Sequence, residues 1–233
     1  SWMGPRSPSS ALAVLFHHAL SGARIKGGMS ALLAALETRA QQVDVQTQTN
    51  AKVVAIRIND QAVSGVELSD GTHMDAELVV STVGPRKTLL ELVPAQHLMP
   101  PQYDAIRNYR NRGIVACVEA NLSAPLWGGA AHTVLADDTV TLEKAFDDAK
   151  HRRLPTRPAM EVFQTEGCLQ ALVFGAAYDL NGGWTEDARA KLEATVKQRL
   201  TEGQEPGVVT DMTLRTPTDL ERDFGLVGGH LFH

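Results

Sequence analysis

Gly65-Val66-Glu67-Leu68-Ser69-Asp70-Gly71, followed by Ala76-Glu77-Leu78-Val79-Val80-Ser81-Thr82-Val83-Gly84-Pro85, carries the turn and strand signals that set the expected topology. Asp70-Gly71 is a tight-turn pair, and the chain returns from it through Thr72-His73-Met74. Just upstream, Val53, Ile56 and Ile58 belong to one strand and Val63, Val66 and Leu68 to the next. Asn59-Asp60-Gln61 joins the two as a hairpin. Leu78-Val79-Val80 is a short continuous apolar run, the pattern of a strand buried on both faces of a parallel sheet. Gly84-Pro85 breaks it. A strand meander inserted ahead of a buried parallel strand is a topology, and it weighs more than any single residue.

Working outward, Gly27-Gly28 gives a tight turn, which glycine permits because it has no Cβ. A helix is expected from Ser30 to Gln42, with Leu32, Leu33, Leu36 and Ala40 on one face. Residues 10–21 also read as a helix, stopped by Gly22. Downstream, composition shifts between Pro94 and Pro101, a crossing into a second domain. A helix over 101–110 leads to a strand, Ile114 to Leu122, and helix signals return from Leu142 to Arg152. Residues 159–175 read as a hairpin. Thr185 caps a helix whose apolar stripe is Ala188, Leu192, Val196 and Leu200. A strand from Gly207 to Leu214 closes the pattern. The fold class expected is α/β (α+β): a partial FAD/NAD(P)-binding domain with a strand meander over 25–95, and a mixed-sheet substrate domain from 1–24 and 96–233.

The chain has 233 residues, enough for one large domain or two small ones. Hydrophobic residues make up 43%, so a core can form, and aromatics only 5%, so Ala, Val and Leu should build it. The formal charge is −5 with no basic run, which argues against nucleic-acid binding. The two cysteines, Cys117 and Cys168, read as buried reduced thiols. No stretch approaches the roughly 20 apolar residues of a membrane span. No signal peptide is visible at Ser1-Trp2-Met3-Gly4-Pro5, so a cytoplasmic location is the default, although a leader could be missing.

The motifs together carry a resemblance. Lys26-Gly27-Gly28-Met29-Ser30-Ala31-Leu32, the two blocks quoted at the outset, and Thr216-Pro217-Thr218-Asp219-Leu220-Glu221-Arg222-Asp223-Phe224-Gly225-Leu226 with Gly228-Gly229-His230 follow one order. In that order the chain resembles the phytoene desaturase-like FAD-dependent oxidoreductases, and within them the pyridine nucleotide-disulphide oxidoreductase domain-containing branch. The last block, read as a Thr-Pro turn and an acidic pair before Gly-Gly-His, is the most specific. Two departures stand out. The Gly-x-Gly-x-x-Gly turn that sets the FAD pyrophosphate on a helix N-terminus is absent, and so is the closing segment over the flavin ring. The chain is therefore expected to be a central fragment of a flavoenzyme, inactive alone and holding no FAD by itself.

The resemblance implies cofactor contacts at Gly27, Gly28, Val53, Ser81, Thr82, Val83 and Gly229. Val53 matches the strand position that passes the adenine end of FAD, where backbone N–H and C=O hold the ring; it could equally be an ordinary strand residue. Ser81-Thr82-Val83 end the strand outside whose carboxyl end a ligand would sit. Gly27 and Gly28 could bring backbone to the flavin or simply turn the chain into a helix. Gly228, Gly229 and His230 would lie near the flavin or a substrate tunnel. His230 and His233 have i,i+3 spacing but are too few to hold a metal, so none is expected. His17-His18 point different ways on a helix and read as structural or exposed. No catalytic constellation is found, and catalytic residues stay unassigned. In the parent, a hydride would pass from an apolar small-molecule substrate to flavin. The alternative is a non-enzymatic lipid- or protein-binding module. Without neighbours over 78–80, self-association is expected.

Overall fold

The computed structural model describes residues 25–231 of the chain. The helix expected over 10–21, His17-His18 and His233 lie outside the described residues. The described residues form two units: a smaller one, 25–81 and 88–103, and a larger one, Thr82–Lys87 with 104–231.

The smaller unit holds helix α1 (Gly28–Gln42) and a three-stranded antiparallel sheet in the order β1 (Val53–Asn59), β2 (Ala62–Leu68), β3 (His73–Asp75). Asn59 pairs with Ala62, so the hairpin loop is Asp60-Gln61. Both residues sit at positive φ, 48° and 66°, the conformation whose twist matches a two-residue hairpin. Asp70 bonds the Thr72 amide at 2.9 Å and closes the second turn. The core here is thin, with Ile56 and Leu68 its buried apolar side chains among the described residues.

The apolar run that reads as a buried parallel strand is corrected by the structure. Residues 78–80 form no strand, and Leu78 and Val80 are 79% and 80% exposed. A strand needs a ladder partner, and β3 pairs with β2 alone. Hydrophobicity without a neighbour leaves the segment open.

The larger unit is built on a five-stranded sheet in the order β5 (His132–Leu135), β6 (Met160–Thr165), β7 (Cys168–Phe174), β4 (Val115–Leu122), β8 (Val209–Arg215). The mixed sheet expected for this part is instead antiparallel at every pairing. For β6 and β7 the reason is local: Glu166-Gly167 turns β6 straight back into β7, with Thr165 opposite Cys168 and Gly167 at φ 75°. Alternation sorts the side chains. Ala116, Val118 and Ala120 of β4, Met160 and Val162 of β6, and Leu169, Ala171 and Val173 of β7 are all buried in one cluster. Leu192, Val196 and Leu200 of helix α4 (Glu186–Thr201) complete it. The side chains are mostly Ala, Val and Leu, as the low aromatic content implies.

Opposite residues of β4 and β7, Val115, Leu172 and Phe174, join a smaller cluster with Ala149 of helix α3 (Thr139–Lys150). Helix α2 (Pro100–Arg107) precedes β4, and α5 (Pro217–Phe224) follows β8. Two further expectations change. Thr216-Pro217, read as a turn, starts α5: Thr216 and Asp219 cap its first turn reciprocally, and Pro217 takes a position that needs no N–H donor. The cysteines are free but not both buried. Cys117 is half-buried and Cys168 is exposed, because it begins β7 on the face away from the α4 cluster.

Candidate functional site

Gly27 and Gly28 begin α1 at φ 84° and 72°. A Cβ on Gly27 would stand 2.9 Å from the Ala31 Cβ, which explains that glycine by packing. A Cβ on Gly28 would meet nothing within 4 Å, so its backbone is approachable. Val53 opens β1, the edge strand of its sheet, paired with Leu68 on one side. An edge strand leaves alternate backbone groups free of the ladder. The Ser81 hydroxyl shares a 2.6 Å hydrogen bond with that of Thr88. These four positions belong to the smaller unit, whereas Thr82, Val83 and Gly229 belong to the larger. Thr82 and Val83 are exposed. In the smaller unit, then, Gly28 and Val53 leave backbone open to approach. Gly-x-Gly, the turn that places a pyrophosphate on a helix N-terminus, occurs nowhere in the sequence.

In the larger unit, Gly229 is buried at φ 61°, and a Cβ there would lie 2.1 Å from the Pro217 carbonyl oxygen. Gly228 accepts from the Gly113 amide at 2.8 Å. A Cβ on Gly113 would lie 2.2 Å from the Gly229 carbonyl oxygen. The glycine pair thus lets three backbone segments touch. The turn carrying Thr82 and Val83 reaches the same region, where a Cβ on Gly84 would be 3.6 Å from Val227.

Beside this clasp the larger unit opens a cleft of about 1070 Å³. Arg86, Arg107, Asn108, Tyr109, Arg110, Asn111, Arg112, Phe146, Lys150, Arg152, Tyr178, Asp179, Glu221 and Gly228 line it. Tyr178 donates its hydroxyl proton to Glu221, and Gly228 N–H donates to the other Glu221 oxygen at 2.8 Å. The Glu221 hydrogen bond, with burial behind it, pushes the Tyr178 pKa up to about 12, so the phenol stays protonated at neutral pH. Asp179 is paired with Arg112 and, at 3.4 Å, with Arg152. Arg86 donates to the Arg107 carbonyl at 2.6 Å.

None of these cleft residues except Glu221 and Gly228 was singled out by the motifs. The signal lay in Arg107-Asn108-Tyr109-Arg110-Asn111-Arg112, three arginines in six positions, too sparse to stand out as a basic run. The other cations come from distant segments that only folding gathers.

Residues 3–204 match the family described as flavin containing amine oxidoreductase. The chain is 28% identical to pyridine nucleotide-disulfide oxidoreductase domain-containing protein 2 of Rattus norvegicus, over 98% of this chain and 46% of that protein. The Mus musculus protein of the same name gives the same identity and coverage. The chain thus spans about half the length of the curated relatives it matches. The solved structure of an oxidoreductase from Methanosarcina mazei is similar with a TM-score of 0.51 at 16% identity, covering 82% of this chain and 43% of that one. That likeness concerns the fold. No helix among the described residues is long and apolar enough to cross a membrane.

Proposed function

The chain belongs to the flavin containing amine oxidoreductase family, and from that premise we propose that it is the central part of a FAD-dependent oxidoreductase acting on a small molecule. The observation that carries the reading is the family match over residues 3–204, on a chain whose strand meander and antiparallel α+β body suit a cofactor part and a substrate part. The non-enzymatic binding module has no comparable support. The assignment of 25–95 to the cofactor part and of 1–24 and 96–233 to the substrate part belongs to the same proposal. So do the contacts at Gly27, Gly28, Val53, Ser81, Thr82, Val83 and Gly229, and a cytoplasmic, reducing setting in which Cys117 and Cys168 stay free.

FAD, when bound to the whole protein, supplies the acceptor for a hydride. This chain's own residues act by position and charge. The backbone at Val53 would meet the adenine end, and that at Gly27 and Gly28 the flavin. Tyr178 and Glu221 hold a proton between them at the cleft wall. The Gly228–Gly229 clasp fixes that wall, since neither residue can take a side chain without displacing backbone.

Titration with FAD tests the proposal. The whole protein is expected to purify with flavin absorbance. The 233-residue chain is expected to bind no FAD at micromolar concentration, because the phosphate-binding turn is missing. A whole protein that purifies colourless and takes up no added FAD would overturn the functional reading. Micromolar binding by this chain alone would overturn the placement of the cofactor site.

A further inference from the structure

We propose that the cleft of the larger unit binds the acidic group, carboxylate or phosphate, of a small molecule with an apolar body. That this molecule is the substrate of the oxidoreductase rests on the preceding reading; that the cleft takes an anion does not.

The cleft carries positive charge left over from its own ion pairs. Six cations and two carboxylates line the cleft, in a chain whose formal charge is −5. Both carboxylates are already engaged. Asp179 is held by Arg112 and Arg152, and Glu221 accepts from the Tyr178 hydroxyl and the Gly228 amide. Arg86, Arg107, Arg110 and Lys150 remain, and among the described residues no carboxylate lies within 4.0 Å of their charged groups. Arg86 is not loose, for its guanidinium is tied to the Arg107 carbonyl at 2.6 Å. Four positive charges around one concavity repel one another and attract an anion, and low-dielectric walls focus that field. Guanidinium forks suit the planar oxygens of carboxylate and the oxygens of phosphate. Tyr109 and Phe146 also line the cleft and give the ligand's carbon body an apolar surface. Tyr178 stays a neutral donor, so it adds no opposing charge at neutral pH.

The test is calorimetric titration of the 233-residue chain, without flavin, with phenylacetate, phenyl phosphate and benzyl alcohol. Phenylacetate, phenyl phosphate or both are expected to bind, and to bind more weakly as salt rises from about 0.02 M to 0.5 M. Benzyl alcohol, the same ring without charge, is expected not to bind. Whichever acid binds more tightly identifies the source of the anionic group.

In the triple variant Arg107→Gln, Arg110→Gln, Lys150→Gln, affinity should fall about tenfold or more, since each charge-assisted hydrogen bond contributes to it. The three positions are exposed, so the unfolding temperature should stay put. Lys150→Glu, a single exposed change, should weaken binding in the same direction and serves if the triple variant folds poorly. Absence of binding by the wild type, equal binding of benzyl alcohol, or unchanged affinity in folded variants would each overturn the inference. None of these outcomes touches the FAD titration, so the two proposals fail separately.

Discussion

Asp219 is a carboxylate with only 4% of its side chain exposed, and it is tolerated there because every lone pair is used. It accepts from the Thr216 amide at 2.9 Å, the Thr216 hydroxyl at 2.8 Å and Arg189 at 2.9 Å. Burial pushes its carboxyl up, but Arg189 and Thr216 outweigh burial and hold it well below the usual carboxylate range. A depressed folded pKa gives stability that is present above the unfolded value, about 3.9, and is lost as pH falls through the folded one. Asp219→Asn should therefore cost about 2–4 kcal/mol near pH 7 and progressively less below about pH 4. Urea midpoints of both proteins across pH check this; a gap equally wide at pH 3 and pH 7 would contradict it. Gly229 gives a second residue-scale outcome. Gly229→Ala must push backbone away from Pro217 at a positive φ, and should cost about 2 kcal/mol or more. Gly207→Ala, at φ 77° in open space, should cost about 1 kcal/mol. Denaturant melts that rank the two the other way would refute the clasp. From sequence, Gly228-Gly229 suggests a flavin or tunnel contact; the backbone-to-backbone packing is illegible there because one partner, Asn111–Gly113, lies more than a hundred positions away and the other, Pro217, is placed by the fold of α5.

Helices α4 and α1 carry similar apolar stripes and meet different fates. On α4, the stripe Leu192, Val196 and Leu200 is buried against the sheet. On α1, Leu33 and Leu36 are each 58% exposed. Leu192→Ala should cost about 3 kcal/mol, whereas Leu33→Ala should stay within about 0.5 kcal/mol. Chemical denaturation of the two variants decides it, and a large loss at Leu33 would mean that α1 is covered in solution. Periodicity made both helices legible, along with the hairpins at Asp60-Gln61 and Glu166-Gly167, because turns and stripes are local. Burial was not legible, because it depends on what the stripe meets. The same gap explains Leu78-Val79-Val80, read as a buried strand for its hydrophobicity alone. Strand β5 escaped notice because His132–Leu135 is only 4 residues long and alternates weakly. Helix α5 escaped because Thr216-Pro217 reads as a turn until the Asp219 cap is seen.

At the scale of the whole molecule, the net charge of −5 conceals a cationic cleft, since composition averages over positions that folding sorts. It also conceals uneven coverage. The larger unit has an extensive core, whereas the smaller one exposes Met29, Leu33, Leu36, Leu78 and Val80. Scattered apolar residues on a surface are ordinary, but Met29, Leu33 and Leu36 recur at i, i+4, i+7 on one helix face. Such a face loses free energy by leaving water, whatever covers it. Among the described residues nothing covers it, and in a solution of this chain alone another copy can. The chain is therefore expected to self-associate, with light scattering giving a mass that rises with concentration. The double variant Leu33→Lys, Leu36→Lys should restore the monomer without lowering stability, because both positions are exposed. Amide exchange at 78–82 should be fast in that variant, since no ladder protects those residues. A wild-type chain that stays monomeric at high concentration, with slow exchange at 78–82, would show that these residues are already paired within one molecule.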